Sequence, residues 1–208
     1  MDEPRLRAYL DELDRWNVRI NLTAVPREHA WDRHVAEVLP LLDAVAPPPA
    51  ARVIDVGAGG GVPGVPMAIL RPDLRVTLLD SDRRKAAFLT HVAGALQLAN
   101  VEVLDARAED AAHRQDLRER FDVAVSRALA PPPVMCELLL PFVRVGGVAA
   151  TLVGDALQAV RDCDAPARLL GGATPRSAPG DVVLIDKVQP TPAQYPRRAG
   201  VPLRKPLG

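Results

Sequence analysis

The chain has 208 residues, with 26 basic and 26 acidic side chains, so its formal net charge at pH 7 is zero. That length allows one α/β domain with a modest extension and excludes two large domains. Because the overall charge offers no attraction, a polyanionic partner would have to meet a local basic patch, and composition neither supports nor excludes nucleic acid.

The N-terminal segment has the periodicity of two amphipathic helices. Apolar residues recur at helical spacing from Pro4 to about Ile20, and a second apolar series runs from Pro26 to Val45, before APPPA ends it. Residues 1–46 are therefore predicted to be a helical extension.

After this extension, short apolar runs alternate with helical segments. Strands are predicted at RVIDV (52–56), RVTLLD (75–80), VEVLDA (101–106), FDVAVSRA (121–128) and GGVAATLVG (146–154). Helices are predicted near 63–70, 82–97, 131–143 and 155–163, with a short one after the third strand. The pattern predicts an α/β fold with a doubly wound, mostly parallel sheet over residues 47–190.

The end of the chain differs from this pattern. DVVLIDKV (181–188) is predicted to be an antiparallel last strand paired with residues near 168–178, and 191–208 is a Pro-rich tail packed on the same domain. Residues 195–208 contain Arg197, Arg198, Arg204 and Lys205 and no acid, which gives +4. This tail is one candidate for contact with a polyanion.

Neither membrane insertion nor a disulfide framework is indicated. No apolar run approaches the ~20 residues that span a bilayer, and the first residues, MDEPRLR, are charged where a signal peptide is apolar. Cys136 and Cys163 lack paired spacing, which argues against disulfides or a zinc site and predicts two buried thiols. We expect a cytoplasmic protein, a monomer, with no membrane contact and no metal.

A glycine-rich loop, DVGAGGGVPGVP (55–66), follows the first predicted strand directly. Gly57, Gly59 and Gly61 follow GxGxG, whereas Gly59, Gly61 and Gly64 also satisfy GxGxxG, so the glycines cannot distinguish S-adenosylmethionine from NAD. Asp80, which ends the second strand, could accept both ribose hydroxyls of either cofactor.

Two further acids favour S-adenosylmethionine. The carboxylate of Asp55 could face the amino group of a methionine moiety but would oppose a pyrophosphate. Ala108 and Glu109 follow the third strand, at the edge of the sheet where methyltransferases commonly contact adenine. The alternatives are that Asp55 caps a loop or helix and that Glu109 is a solvated or capping acid.

Seven motifs extend over nearly the whole chain: NLTA (21–24), RHVAEVL (33–39), DVGAGGGVPGVPMAI (55–69), LLDSDRRKAAFL (78–89), RAED (107–110), FDVAVSRALA (121–130) and YPRRAGVPLRKPL (195–207). In these motifs the chain resembles the RsmG (GidB) methyltransferases. This resemblance implies a class I methyltransferase fold and formation of 7-methylguanosine in the decoding-region loop of 16S ribosomal RNA. It also implies that a strain lacking the enzyme would show low-level streptomycin resistance.

The same resemblance implies a set of cofactor contacts, namely Gly57, Val62, Ala108, Glu109 and Arg127, supported by Gly59, Gly61 and Asp80. This sequence departs from the family at two places. Glu37-Val38 stands where the family has Asp-Ser, and Val153 stands where it usually has Lys.

Methylation of guanine N7 requires no general base, because that nitrogen already carries a free lone pair, so alignment of the reactants is the main requirement. Arg127 is expected to position the cofactor carboxylate or the O6 edge of the base; the alternative is a surface salt bridge. Ser126-Arg127-Ala128-Leu129 replaces the Asp/Asn-Pro-Pro-aromatic motif of amino-group methyltransferases.

RNA contacts are expected from Asn21, His34, Arg84, Lys85, Arg197 and Arg198. The alternatives are a turn-forming Asn21, a structural His34 and solvated cations. Three other functions are left open: a methyltransferase acting on a small molecule or protein, an NAD(P) oxidoreductase, and a cofactor-binding ribosome assembly factor without turnover.

Overall fold

The structure is a computed structural model that describes residues 1–207. Its helices are α1 (Glu3–Asn17), α2 (Val38–Val45), α3 (Gly64–Leu70), α4 (Arg83–Ala95), α5 (Ala108–Ala111), α6 (Pro132–Leu139), α7 (Ala156–Leu169) and α8 (Val201–Arg204). Its strands are β1 (Arg52–Val56), β2 (Arg75–Asp80), β3 (Val101–Asp105), β4 (Phe121–Arg127), β5 (Val143–Leu152), β6 (Arg176–Ala178) and β7 (Val182–Asp186).

The strands form one sheet in the order β3-β2-β1-β4-β5-β7-β6. Neighbours from β3 to β5 are parallel, whereas β7 runs antiparallel to both β5 and β6. The predicted doubly wound α/β fold with an antiparallel last strand is confirmed. The chain crosses from β3 to β4 over the sheet, which makes the ends of β1 and β4 a topological switch point, where α/β proteins bind ligands.

The sheet is buried on both faces because successive strand residues point to opposite sides. Val53 and Val123 belong to the core on the side of α1 to α4, and Ile54 and Ala124 belong to the core on the other side. Every position from Val53 to Val56 is buried, which explains why β1 is a continuous apolar run interrupted by one acid.

The N-terminal helix ends earlier than its periodicity predicts. Asp2 caps α1 by accepting a hydrogen bond from the Arg5 amide at 3.2 Å, and the apolar face of the helix packs on α3 and α4. The helix stops at Asn17 and not near Ile20, because the side-chain oxygen of Asn17 accepts from the amides of Leu22 and Thr23 at 2.8 and 3.0 Å and turns the chain.

The second predicted helix is broken into three parts. A 3₁₀ turn covers Arg27–His29, a π-helical turn covers Asp32–Ala36, and α2 begins only at Val38. The π turn contains His34, whose side chain is fully buried. Such single π turns occur frequently at functional sites.

Near the end of the sheet, helix α7 continues to Leu169, so the antiparallel arm predicted near 168–178 is only Arg176–Ala178. Cys136 and Cys163 are both free and buried, as predicted. No helix within residues 1–207 is long and apolar enough to cross a membrane. The division into 1–46, 47–190 and 191–208 stays a prediction.

Candidate active site

Two adjoining cavities open at the carboxyl ends of the central strands. The larger has a volume of about 820 Å³ and lies between the glycine loop and the segment 22–37. The smaller has a volume of about 260 Å³ and lies between the ends of β2 and β3 and helix α8. Gly57 borders both cavities.

The structure divides the expected site residues between the two cavities. The larger one is lined by Gly57, Gly59, Val62, His34, Lys85 and Arg127. The smaller one is lined by Gly57, Asp80, Ala108 and Glu109. Asp55, Gly61, Asn21, Arg84, Arg197 and Arg198 line neither of them.

The glycine loop needs glycine for conformation as well as for space. Gly57 has φ +71°, and a Cβ there would lie 2.5 Å from Cδ1 of Leu129. Gly61 has φ +92°, and a Cβ there would lie 2.7 Å from Cγ2 of Val65. The left-handed backbone strains any side chain at these positions, and a neighbouring side chain would also have to shift. Gly61 lines neither cavity and is needed for the turn itself, whereas Gly57 borders both cavities.

Asp80 joins the loop to the smaller cavity. Its Oδ2 accepts from the Gly59 amide and its Oδ1 accepts from the Asp82 amide, both at 2.8 Å. Each carboxylate oxygen has a second lone pair, so Asp80 can still accept two hydroxyl donors from the cavity. This is the arrangement that a ribose requires.

Glu109 is buried at the start of α5 and already accepts two hydrogen bonds from the protein. Its Oε1 accepts from the Gly200 amide at 2.9 Å and from the Arg107 guanidinium at 3.3 Å. The residue lines the smaller cavity as expected, and it also ties the C-terminal tail to that cavity.

Asp55 lies beneath the glycine loop and does not face a ligand cavity. It is fully buried, and its Oδ2 accepts from the Gly64 amide at 2.8 Å. Its Oδ1 has no hydrogen-bond partner among residues 1–207, and burial raises the pKa of this carboxyl to about 7. These contacts fit the loop-capping interpretation and not a direct approach to a methionine amino group.

Arg127 and His34 are in direct contact in the larger cavity. The Nη2 of Arg127 lies 2.9 Å from Nδ1 of His34, and Nε2 of His34 lies 3.1 Å from Oγ1 of Thr23. A guanidinium only donates, so Nδ1 accepts and the neutral ring carries its proton on Nε2. Burial, together with the charge of Arg127, lowers the pKa of His34 to about 4.

Further contacts fix the guanidinium of Arg127. Its Nη1 donates to the backbone carbonyl of Arg33 and lies 3.9 Å from Oε2 of Glu37. Glu37, one of the departures from the family pattern, thus keeps a carboxylate beside Arg127, while Val38 is buried in the core. Val153, the other departure, lines the same cavity without a charge.

The expected RNA contacts fall into different environments. Lys85 lines the larger cavity, whereas Arg84 is exposed and lies 3.3 Å from Asp82. Arg198 is exposed. Arg197, in contrast, pairs with the fully buried Glu137, its Nη2 lying 2.6 Å from Oε2. This pairing corrects the expectation that Arg197 is available to RNA.

Sequence reasoning missed three residues that build the site. Asn21 is exposed, and the turn expected of it is made by Asn17. The side-chain Nδ2 of Asn17 also donates to the Thr23 carbonyl at 2.9 Å. Thr23 supports His34, and Tyr9 donates its hydroxyl to the Gly60 carbonyl at 2.6 Å. The NLTA motif pointed to Thr23, but Tyr9 was one residue of an apolar helix face without a separate signal.

No group of three or more His, Cys, Asp or Glu side chains within 1–207 is arranged to hold a metal ion. The glycine cradle and the free lone pairs of Asp80 fit an adenosine-containing cofactor. The chemistry of the residues present therefore resides in backbone amides, the acceptor oxygens of Asp80 and the half-buried guanidinium of Arg127.

Fold and site together define a class I S-adenosylmethionine-dependent methyltransferase. In its fold the chain is similar to an S-adenosylmethionine-dependent O-methyltransferase from Thermotoga maritima, with a TM-score of 0.60 at 13% identity, covering 88% of this chain and 72% of that one.

A family model described as rRNA small subunit methyltransferase G matches residues 2–166. Relatives named ribosomal RNA small subunit methyltransferase G are 42% identical in Moorella thermoacetica, over 97% of this chain and 89% of that protein, and 41% identical in Roseiflexus castenholzii, over 96% and 89%. The chain belongs to the rRNA small subunit methyltransferase G family, and its cofactor is S-adenosylmethionine.

Proposed function

We propose that this protein transfers the methyl group of S-adenosylmethionine to N7 of a guanine in the decoding-region loop of 16S ribosomal RNA. Its family and its relatives support methylation of small-subunit ribosomal RNA. The observation that carries the choice of chemistry is the Arg127–His34 pair, which places a fixed guanidinium in the larger cavity and occupies Nδ1 of the histidine there.

The two cavities suggest how cofactor and base divide the site. Asp80 and Ala108 would hold the adenosine part in the smaller cavity, while Gly57 and Gly59 would approach the rest of the cofactor with their backbone. Because Gly57 borders both cavities, the target base would enter from the larger one. When bound, the cofactor supplies an electrophilic methyl group, which the base attacks in line.

The protein's own groups orient the base and do not remove a proton. His34 is neutral at pH 7, and its Nδ1 already accepts from Arg127, so the imidazole is not an available base. The guanidinium of Arg127 can donate to O6 of guanine beside N7 or to a cofactor carboxylate. Either contact aligns the reactants, which is what transfer to a free lone pair requires.

The RNA partner would be held by local cations at the rim. Lys85 in the larger cavity and the exposed Arg84 and Arg198 are the proposed phosphate contacts. With two Tyr and two Trp in the chain, extensive base stacking is not expected. We therefore propose the assembled small subunit as the substrate. We also propose that the enzyme is a monomer and that it acts in the cytoplasm.

The test is transfer of labelled methyl to small subunits purified from a strain that lacks the modification, followed by nucleoside analysis of the digested RNA. We expect label in 7-methylguanosine at one position. Subunits that already carry the methyl group are the control substrate. Label in another nucleoside, or in protein or a small molecule, would refute the proposal.

Two variants connect this assay to the site. Arg127→Lys keeps the charge but loses the planar contacts to His34 and Arg33, so we expect the transfer rate to fall at least about a hundredfold. Arg75→Lys makes the same change at an exposed residue that begins β2 and lines neither cavity, and it is the matched control. Equal activity of Arg127→Lys and the control would contradict the role of Arg127.

A further inference from the structure

The C-terminal tail is fastened to the methyltransferase fold by several side chains. The Arg118 guanidinium donates to the carbonyls of Tyr195 and Thr191, both at 2.8 Å. The buried carboxylate of Glu137 receives both the Arg197 amide at 2.7 Å and the Arg197 guanidinium. A Pro-rich basic segment that only attracted RNA would not need this number of anchors.

The last anchor lies at the cofactor site itself. The Gly200 amide, at the start of α8, donates to Oε1 of Glu109 at 2.9 Å, and Glu109 lines the smaller cavity. Gly200 has φ +77°, a left-handed conformation that turns the chain into α8. The tail therefore enters α8 against the wall of the smaller cavity.

Helix α8 forms part of that wall. Pro202 and Leu203 line the smaller cavity together with apolar residues from α6, namely Val134 and Leu138. Leu203 is 63% exposed and leaves an apolar surface beside the cavity for a ligand to cover. The neighbouring Arg204 and Lys205 are exposed and do not line the cavity.

We propose that the C-terminal tail is a structural part of the cofactor site, in which Pro202 and Leu203 cover the adenine ring and Glu109 fastens the tail in place. A purine has two apolar faces and gains most when both are removed from water. The strand ends, α6 and α8 all contribute apolar residues to the lining of the smaller cavity, so a purine bound there can contact Pro202 and Leu203 as well as the sheet. This inference rests on the proposed function, since it requires S-adenosylmethionine as the cofactor.

The tail's second possible role, an RNA-binding arm, predicts different residues. If the cations of α8 bind phosphate, then Arg204 and Lys205 matter for RNA, and Pro202 and Leu203 do not. If α8 covers adenine, then Pro202 and Leu203 matter for cofactor binding, and Arg204 and Lys205 do not. The two roles are thus separated by substitutions one residue apart.

The experiment measures the Kd of S-adenosylhomocysteine by calorimetry, without RNA and without turnover. For Pro202→Ala/Leu203→Ala we expect roughly five- to tenfold weaker binding, because apolar contact with the ring is lost. The matched variant Arg204→Ala/Lys205→Ala should bind as tightly as the unaltered protein. Circular dichroism and thermal unfolding of both variants show whether the fold is retained.

A second measurement uses the unaltered chain, so it does not depend on the stability of a variant. S-adenosylhomocysteine should slow amide hydrogen exchange in residues 199–205, including the Gly200 amide. Unchanged affinity of Pro202→Ala/Leu203→Ala and unchanged exchange in the tail would together overturn the inference. Failure of the unaltered protein to bind S-adenosylhomocysteine would instead overturn the proposed function.

Discussion

Removal of one oxygen atom, in Tyr9→Phe, tests how the N-terminal helix supports the cofactor loop. Tyr9 is fully buried in α1, and its hydroxyl donates to the Gly60 carbonyl at 2.6 Å, across 51 positions in the sequence. The substitution keeps the ring and its packing, and it leaves the Gly60 carbonyl without this donor. The glycine loop then loses its polar link to α1.

The size of the effect follows from the burial of the two partners. A net hydrogen bond contributes about 1 kcal/mol, and a carbonyl left without a donor raises the loss toward about 2 to 3 kcal/mol. Gly60 is half-buried, so water can partly replace the hydroxyl. We expect a loss of about 1.5 kcal/mol in the free energy of unfolding.

The cofactor loop should also become less well ordered in the folded protein. Since binding must then restore the position of the loop, we expect S-adenosylhomocysteine to bind about three- to tenfold more weakly, without a change in the bound contacts. Urea unfolding gives the first quantity and calorimetric titration of the folded variant gives the second. Both measurements use the same purified protein.

The matched control is Tyr195→Phe, because the contacts through which Tyr195 holds the tail come from its backbone. It should leave both quantities within about 0.5 kcal/mol of the unaltered protein. If Tyr9→Phe gave the same stability and the same affinity as this control, the α1–loop link would have no energetic role and the reasoning would be refuted.

Three other substitutions test the charges in the structure. Arg197→Ala leaves Glu137 buried and without its cationic partner, so urea unfolding should show a loss of about 3 kcal/mol. Arg198→Ala should change the free energy of unfolding by less than about 0.5 kcal/mol. Equal losses would contradict the Arg197–Glu137 pairing. The His34 pKa is lowered to about 4, so between pH 6.5 and 4 the unfolded state binds a proton that the folded state does not. The free energy of unfolding should therefore decrease as pH falls through that window. His34→Gln should lack this dependence. The Asp55 pKa is raised to about 7, so this residue gives the opposite pH dependence: the stability that protonated Asp55 contributes is lost as pH rises from about 4 to 7. Asp55→Asn should therefore raise the thermal midpoint at pH 8 and not at pH 3.5. An equal change at both pH values would refute the raised pKa.

Much of the fold follows from local sequence pattern. The five parallel strands and the helices between them lie within a few residues of their predicted positions, because buried strands and amphipathic helices have short-range periodicities. The errors occur where a side chain interrupts the pattern. Asn17 ends α1 early by bonding to the following loop, and the π turn at His34 breaks what reads as one continuous helix.

The site shows the same division. Gly57, Asp80 and Ala108 lie where strand ends and spacing put them, since these positions are fixed by the chain immediately around them. Asp55 lines neither cavity, and a linear sequence does not show whether a carboxylate at a strand end points into the cleft or beneath the loop.

Local sequence was sufficient to identify the fold class, the glycine loop and the family motifs, because these depend on residues close together in the chain. Which charged groups are free depends on the packing of distant segments. Arg197 and Arg198 are adjacent residues of the same type, yet Arg197 pairs with a buried carboxylate 60 positions away and Arg198 is exposed. The Arg127–His34 contact joins residues 93 positions apart. Such pairings arise only when packing brings distant segments together, and burial then fixes their charge and their chemistry.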